Sequence, residues 1–214
     1  MKENAWVTDL LGDFIVSIPK TRRYFVIGSV ALMSYTSTIG YERKIKDIDI
    51  ICDDIDFQEV ASKLRNLGYQ QDTFVDKSFP LFSKLSKLSK SKYFRFVKEE
   101  KSLEIMTSNF GDSKNEFNIE VYPGINFSFP SKGVVTSIYN NLSFQAVSKE
   151  TLFCIYTFGM RTWGRFVKTN MGQRKRDVGE LYKVVDKEKL KFIASRIYLR
   201  LGKFEFRVPT FIVG

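Results

Sequence analysis

Two aspartates separated by one residue are the part of this chain best suited to chemistry. Asp47 and Asp49 lie in a run of apolar, β-branched residues, 46–51, that predicts a strand. Because side chains alternate between the two faces of a strand, both carboxylates should point the same way. Like charges this close are costly unless a cation lies between them, and hard divalent cations prefer carboxylate oxygens. The pair therefore predicts a metal site, with Mg²⁺ as the expected ion, and indicates phosphate chemistry.

The residue types that the chain lacks exclude several other chemistries. Histidine is absent from its 214 residues, which excludes Ser-His-Asp and Cys-His catalysis and zinc held by histidine. Any acid–base step must therefore use carboxylates, lysine, tyrosine or water. Cys52 and Cys154 form neither a CxxC pair nor a disulfide framework, so we expect two reduced, half-buried thiols. The chain also lacks a Walker-type glycine loop and the protein-kinase signatures.

Charge and hydropathy set bounds on partners and location. The net charge of +10 favours phosphate-rich partners, although charge alone leaves nucleic-acid binding open. Apolar stretches such as 24–33 are interrupted and too short to span a bilayer, and the first residues lack an apolar segment of the secretory type. We therefore expect a cytoplasmic protein that has no membrane partner.

The elements that must position the aspartates follow from the spacing of apolar residues. The pattern predicts a strand over 24–27, a turn at Gly28 and Ser29, and a basic loop over 41–46 before the aspartate strand. The lysine-rich stretch 82–95 is either a phosphate-facing loop or a solvated surface segment. Further strands are predicted over 93–97, 103–106 and 117–122. Helices are predicted over 4–18, 30–36, 57–67, 148–161, 175–185 and 187–201.

This order of elements predicts an α/β fold of the α+β kind. A mixed sheet flanked by helices should come first, followed by a C-terminal helical region. We place the α/β core with its N-terminal helix at 1–140 and the helical region, packed on that core, at 141–214.

The arrangement resembles the nucleotidyltransferase superfamily related to DNA polymerase β. The first matching residues are Gly28-Ser29 followed by Ala31-Leu32, and Arg43 followed by Lys46-Asp47-Ile48-Asp49. Later in the chain, Arg161 and the segment 174–181 look like the C-terminal helices of minimal, lincosamide-type and phage-defence-toxin nucleotidyltransferases. The resemblance spans about residues 24–185 and implies a nucleotidyltransferase-like mixed sheet.

The resemblance also implies an activity. It implies Mg²⁺-dependent transfer of a nucleoside monophosphate from an NTP such as ATP to a hydroxyl acceptor, with release of pyrophosphate. Asp47 and Asp49 would hold the metal, and Gly28 and Ser29, with the amides that open the next helix, would hold the triphosphate. Arg43 and Lys46 could clamp phosphates or simply neutralise Asp47.

A third carboxylate normally completes such a site, and two glutamates compete for the role. Glu120 and Glu104 both lie within apolar strands, where a bare carboxylate is expensive to bury. Glu120 precedes Ser148 by 28 residues and Glu104 precedes it by 44, and the shorter spacing is nearer to that of the family. We therefore predict Glu120 as the third catalytic and metal-binding residue, with Glu104 as the alternative.

The acceptor and the activity itself stay open at this stage. The acceptor could be a small molecule, a protein side chain or an RNA end, and the positive charge favours a polyanion such as tRNA. Both the third acid and position 180 are Glu, where relatives usually carry Asp. The alternative is thus an inactive module of the same fold that binds nucleotide, RNA or a partner protein. Tyr156 and Tyr182 could stack on a base or belong to the core.

Overall fold

The computed structural model describes residues 4–20, 23–53, 57–72, 93–108, 116–122, 125–130, 133–162, 171–201 and 204–207. Within these ranges the helices are α1 (Trp6–Ser17), α2 (Gly28–Thr36), α3 (Phe57–Asn66), α4 (Lys149–Thr162), α5 (Met171–Val184) and α6 (Lys187–Ala194). The strands are β1 (Tyr24–Ile27), β2 (Asp47–Asp53), β3 (Gln70–Asp72), β4 (Tyr93–Lys98), β5 (Lys101–Ser108), β6 (Glu116–Tyr122), β7 (Ile125–Pro130), β8 (Val134–Tyr139), β9 (Leu142–Val147), β10 (Tyr198–Leu201) and β11 (Phe204–Arg207).

The strands form two sheets, and the aspartate strand lies at the centre of the larger one. The seven-stranded sheet has the order β3-β4-β5-β2-β1-β9-β8, and the four-stranded sheet has the order β11-β10-β7-β6. In the larger sheet, β2 is parallel to β5 and antiparallel to β1, and β1 is parallel to β9. The predicted mixed sheet flanked by helices is therefore confirmed.

Burial explains why β2 takes the central place. Ile48, Ile50 and Ile51 are almost completely inaccessible to solvent. Since Ile51 lies on the opposite face from the other two, both faces of β2 are covered, as is typical of a central strand. Helix α2 packs on β1, β2 and β8, and α4 and α5 pack in turn against α2. The sheet thus holds β2 rigidly, while the C-terminal helices approach the same region through α2.

Five of the described strands, β7 to β11, follow β6 in the chain and were not revealed by the apolar pattern. Strands β8 and β9 form a hairpin in which Tyr139 pairs with Leu142. The two residues between them, Asn140 and Asn141, have φ values of 48° and 66°. Two left-handed residues in a two-residue loop match the twist of an antiparallel pair, and asparagine tolerates that conformation. The Asn-Asn pair was the available signal for this hairpin.

The helix predicted over 187–201 is wrong in its C-terminal part. It begins as expected, because the Asp186 side chain accepts hydrogen bonds from the amides of Glu188 and Lys189, but it ends at Ala194. The chain then continues as β10, which pairs with β7, and as β11. Pairing with strands distant in sequence overrides local helical spacing here.

Other features bear on the remaining predictions. The predicted boundary at 140/141 falls in the β8–β9 turn, and β9 pairs with β1 of the core. Most of the predicted lysine-rich segment, residues 82–92, lies outside the described residues, and its last residues belong to β4, which begins at Tyr93. None of the helices in the described ranges has the length and apolar character needed to cross a bilayer.

Candidate functional site

The two aspartates of β2 lie side by side on one face of the sheet, as predicted. Asp47 and Asp49 are both half-buried, whereas Ile48 between them and Ile50 after them are buried. This alternation confirms that the carboxylates share a face and that the isoleucines fill the opposite one. Two oxygen-donor side chains of this kind suit a hard divalent cation.

Gly28 lies against the carboxylate of Asp49. The register of β1 and β2 pairs Ile27 with Asp49, which brings the end of β1 beside the second aspartate. A Cβ atom added to Gly28 would lie 1.8 Å from Oδ2 of Asp49, and the φ of Gly28 is +65°. Both the close approach and the left-handed backbone require glycine at this position. Gly28 was predicted as part of a turn, and it is the first residue of α2.

The N-terminus of α2 presents backbone amides beside the aspartates. Ile27, at the N-cap, is extended and makes no side-chain capping hydrogen bond. The first amides of a helix have no partner within the helix and carry partial positive charge, so they suit an anion. Ser29, in the first turn, is buried. The predicted pair Gly28 and Ser29 is therefore located where an anionic group next to Asp49 would meet it.

Glu104 lies beside the aspartates, whereas Glu120 lies on another sheet. Strand β5 runs parallel to β2 with Asp49 in register with Glu104. Glu120 belongs to β6, whose partner is β7 in the four-stranded sheet. The structure therefore brings Asp47, Asp49 and Glu104 together and does not bring the strand of Glu120 next to β2. Sequence spacing favoured the other glutamate because it carries no information on which strands pair.

Burial and neighbouring negative charges raise the pKa of the Asp49 carboxyl group well above 3.8. Burial is the largest cause, and repulsion from Asp47 and Glu104 adds to it, while Arg174 and Arg43 act in the opposite direction. Three acids and two arginines thus interact at this position. Such a mixture of unrelieved negative charge and nearby cations is typical of sites that bind metal and phosphate.

Helix α5 contributes the second arginine. The guanidinium of Arg174 lies over the ring of Tyr156, with its Cζ atom 4.5 Å from the ring centroid. Tyr156 is buried on α4, and burial raises the pKa of its hydroxyl. Its ring face is therefore occupied by Arg174. Tyr182 is half exposed and lies under the Nζ atom of Lys187, eight residues after Arg174 on the same helix.

A buried hydrogen-bond network connects the basic loop before β2 to α5. Asp177 accepts from Arg43 Nη1, from the hydroxyl of Tyr41 at 2.6 Å and from Nε2 of Gln173 at 2.9 Å. The Nε atom of Arg43 is also buried, and it has no hydrogen-bond partner among the residues that the structure describes. Sequence reasoning noted Asp177 only within the segment 174–181 that resembles the family's C-terminal helices, and did not connect it to the loop, which lies more than 130 positions away.

Other predicted residues lie as follows. Lys46 is exposed next to Asp47. Cys52 and Cys154 form no disulfide within the described residues and are fully buried rather than half-buried, and burial raises the pKa of Cys154 to about 12. That thiol stays protonated near neutral pH and is not a nucleophile.

The carboxylates at this site are the kind of ligand that magnesium prefers, although the third of them, Glu104, lies near an arginine. Asp47 and Asp49 supply carboxylate oxygens, and Gly28 leaves room around Asp49 that a side chain would fill. Glu104 lies 3.9 Å from Nε of Arg95, on the neighbouring strand β4. Within the described residues, no three carboxylate, cysteine or histidine side chains are already grouped as metal ligands. Binding a metal with all three acids would require Glu104 to turn from Arg95.

Several solved structures share this architecture. The solution structure of the antibiotic-resistance factor ANT(2'')-Ia has a TM-score of 0.61 and 11% identity, over 88% of this chain and 89% of that one. A crystal structure of ANT(2'')-Ia with adenylyl-2''-tobramycin has a TM-score of 0.59 and 11% identity, over 88% and 94%. The lincosamide antibiotic adenylyltransferase LnuA, bound to lincomycin, has a TM-score of 0.53 and 18% identity, over 86% and 97%.

These similarities lie in the structure rather than in the sequence. No known protein family and no curated protein matches the sequence. The structural likeness extends over most of each chain, so the predicted nucleotidyltransferase-like fold is confirmed. Fold by itself does not determine activity, which has to be argued from the residues of the site.

Proposed function

We propose that this chain, which has the nucleotidyltransferase fold, transfers a nucleoside monophosphate from an NTP to a hydroxyl group. One observation carries the proposal: Asp47 and Asp49 share a face of the central strand, directly beside Gly28 at the N-terminus of α2. Carboxylates that hold a cation thus adjoin amides that suit a phosphate. In the reaction, the acceptor oxygen forms a bond to the α-phosphorus, the bond from that phosphorus to the bridging oxygen breaks, and pyrophosphate leaves.

The triphosphate would be held by backbone amides and by two arginines. The amides that open α2, with Ser29, would bind phosphate oxygens, since the first residue of this helix lies against Asp49. Arg43 and Arg174 both act electrostatically on Asp49, so both would favour an anion bound next to it. The buried Nε atom of Arg43, which has no partner within the described residues, is a donor available to a phosphate oxygen. Lys46 is exposed and is a weaker candidate.

Asp47, Asp49 and Glu104 are the residues that we propose to hold Mg²⁺. When bound, the ion would neutralise phosphate charge and polarise the attacking hydroxyl. We place Glu104 rather than Glu120 third, because Glu104 is in register with Asp49 on the adjacent strand. With histidine absent from the chain, the hydroxyl proton would pass to this carboxylate.

A small hydroxyl-bearing compound is the acceptor class that we propose. Two of the structures that share the fold hold adenylyl-2''-tobramycin and lincomycin, which are small molecules. The positive charge of the chain had favoured tRNA or another polyanion, and none of these structures adds support to that prediction. A panel of small polyhydroxylated compounds and tRNA, each offered with a radiolabelled NTP, would separate the two classes by the product that carries the label.

The proposed activity is tested by pyrophosphate release. Wild type and Asp49→Asn are compared with each NTP in the presence of Mg²⁺, with Glu59→Gln as the control. Glu59 pairs with Lys63 on the surface of α3, so this variant also loses one carboxylate charge. We expect release by wild type and the control, and a loss of about 10³-fold in Asp49→Asn. Equal rates in Asp49→Asn and wild type would end the proposal.

A second function is favoured by the position of Glu104. Because this side chain lies near Arg95 and not in a preformed cluster of three ligands within the described part of the chain, the fold could serve to bind nucleotide without turnover. Such a module would bind nucleotide whether or not Mg²⁺ is present. Catalysis, in contrast, requires that productive binding depend on the metal.

A further inference from the structure

Asp177 is a buried carboxylate whose partners come from the loop before the aspartate strand. It is 1% exposed, and on its own helix α5 it meets only Gln173 among the contacts that the structure describes for it. Its other two partners, Arg43 and Tyr41, belong to the segment 41–46 that leads into Asp47. A buried carboxylate is tolerated only where charge and hydrogen bonds compensate it, so this contact is specific.

The network gives Arg43 one fixed orientation. Nη1 of Arg43 donates to Asp177, and the side chain of Arg43 is 20% exposed. The same loop is fixed from its other side, because Asn4 donates to the carbonyl of Arg43 at 3.2 Å and accepts from the amide of Ile45 at 3.3 Å. With these contacts made, the guanidinium keeps its Nε donor unpaired within the described residues. A held guanidinium with an unused donor is organised in advance for an anion.

We infer that Asp177 is a positioning residue, which holds Arg43 and the loop 41–46 in the conformation that receives the triphosphate. The inference rests on the proposed function for the identity of the anion. Asp177 itself does not touch the reacting groups; it acts through Arg43 and Tyr41. Helix α5 therefore serves the site twice, through Asp177 on the loop and through Arg174, which acts electrostatically on Asp49.

A double-mutant cycle tests this role. The dissociation constant of a non-hydrolysable NTP analogue with Mg²⁺ is measured for wild type, Asp177→Asn, Arg43→Ala and the double variant. We expect Asp177→Asn to raise the dissociation constant about tenfold. In the Arg43→Ala background, the same change should add less than about twofold, since its effect passes through the missing arginine. Losses that multiply in full in the double variant would overturn the inference.

Two further variants keep the test independent of folding. Removing one partner of a buried ion pair is more disruptive than removing both, so Asp177→Asn alone is the variant at greatest risk of unfolding. Tyr41→Phe deletes only one donor to Asp177 and should raise the dissociation constant about threefold. The control Glu59→Gln loses an exposed carboxylate of another helix, and its affinity should equal that of wild type. Affinities of Tyr41→Phe and Asp177→Asn that match this control would overturn the inference.

Hydrogen exchange separates failure of the inference from failure of the proposed function. Amides of 41–46 should exchange about tenfold faster in Asp177→Asn than in wild type, while those of α3 keep their rates. If wild type binds no NTP analogue, the proposed function fails, and faster exchange in Asp177→Asn still supports the anchoring of the loop. Unchanged exchange in 41–46 overturns the positioning role, whatever the affinities.

Discussion

The acidic side chains of the two sheets have opposite surroundings. On the seven-stranded sheet, Asp49 is next to Asp47 and Glu104, and burial together with these like charges raises its pKa. On the four-stranded sheet, Glu116 and Glu205 each accept from Arg200 at 2.8 Å, at partly exposed positions. The first arrangement opposes folding in the absence of a cation, whereas the second is an ordinary surface ion-pair cluster.

This difference indicates that the acids of the seven-stranded sheet are present for function, since they do not stabilise the folded protein. Paired acids on an exposed sheet contribute little in either direction, and their loss should be tolerated. Three acids on adjacent strands, of which Asp49 is opposed by Arg43 and Arg174 and Glu104 lies near Arg95, are costly unless a ligand uses them. The comparison is therefore testable by substitutions that affect the two sheets differently.

The largest expected effect on stability comes from Gly28→Ala. The new Cβ atom would lie 1.8 Å from Asp49 Oδ2, at a residue with φ of +65°, so both the backbone and the aspartate must shift. We expect a loss of about 3 kcal/mol in the free energy of unfolding and of about 10²-fold in pyrophosphate release. Denaturant unfolding and the release assay measure the two effects.

Gly12→Ala is the matched control for that substitution. Gly12 lies within α1 and a Cβ atom there meets nothing within 4 Å, so the same change should stabilise the protein by up to about 1 kcal/mol. Equal effects of the two alanine substitutions would show that Gly28 is not constrained by Asp49.

The next effect distinguishes the two glutamates. Glu104→Gln should lower kcat about 10²-fold, because Glu104 is in register with Asp49. Glu120→Gln should leave kcat within about twofold of wild type, because its strand pairs in the other sheet. Single-turnover assays with saturating nucleotide measure the change. The reverse order of effects would restore Glu120 as the third acid and remove the strand-register argument.

The fold was largely accessible from the sequence, and the site only in part. Asp47 and Asp49 follow from a strand period, so sequence reasoning placed them correctly on their strand, whereas Gly28, predicted in a turn, is the first residue of α2. The third acid and the partner of Arg43 depend on which distant segments meet. Glu104 becomes a neighbour of Asp49 only through β2–β5 pairing, and Asp177 meets Arg43 across 134 positions.

The strands that sequence reasoning missed have a similar cause. Segment 198–201 has a leucine at every second position, which is typical of a strand. No glycine or proline separates it from the helix before it, so the sequence predicted that the helix continues to residue 201. Its pairing with β7, at least 70 residues earlier, decides its conformation. Local propensity is a weak guide wherever non-local pairing determines the structure.

A smaller effect concerns the stability of the metal-free protein. The pKa of Asp49 in the folded state lies above 3.8, so the folded protein binds this proton more tightly than the unfolded chain does. Stability should therefore fall as the pH rises from about 4 through the folded-state pKa. Asp49→Asn removes this dependence and should stabilise the metal-free protein by about 1 kcal/mol near neutral pH. Thermal unfolding across this pH range, without Mg²⁺, provides the measurement, and a destabilised Asp49→Asn would contradict the account.

The smallest effect is expected on the four-stranded sheet. Arg200→Ala removes the partner of both Glu116 and Glu205, all partly exposed, and should lower the free energy of unfolding by about 1 kcal/mol. Pyrophosphate release, measured at a temperature where both proteins are folded, should not change. A loss of activity comparable to that of Glu104→Gln would mean that the two sheets are not functionally distinct.

The central claim is that Asp47 and Asp49 hold the metal through which a triphosphate binds. Calorimetric titration of a non-hydrolysable NTP analogue, with and without Mg²⁺, into wild type and Asp47→Asn/Asp49→Asn tests it most directly. The account predicts binding to wild type only when Mg²⁺ is present, and no Mg²⁺-dependent gain in the double variant. Affinity that is the same in both proteins and indifferent to Mg²⁺ would contradict it.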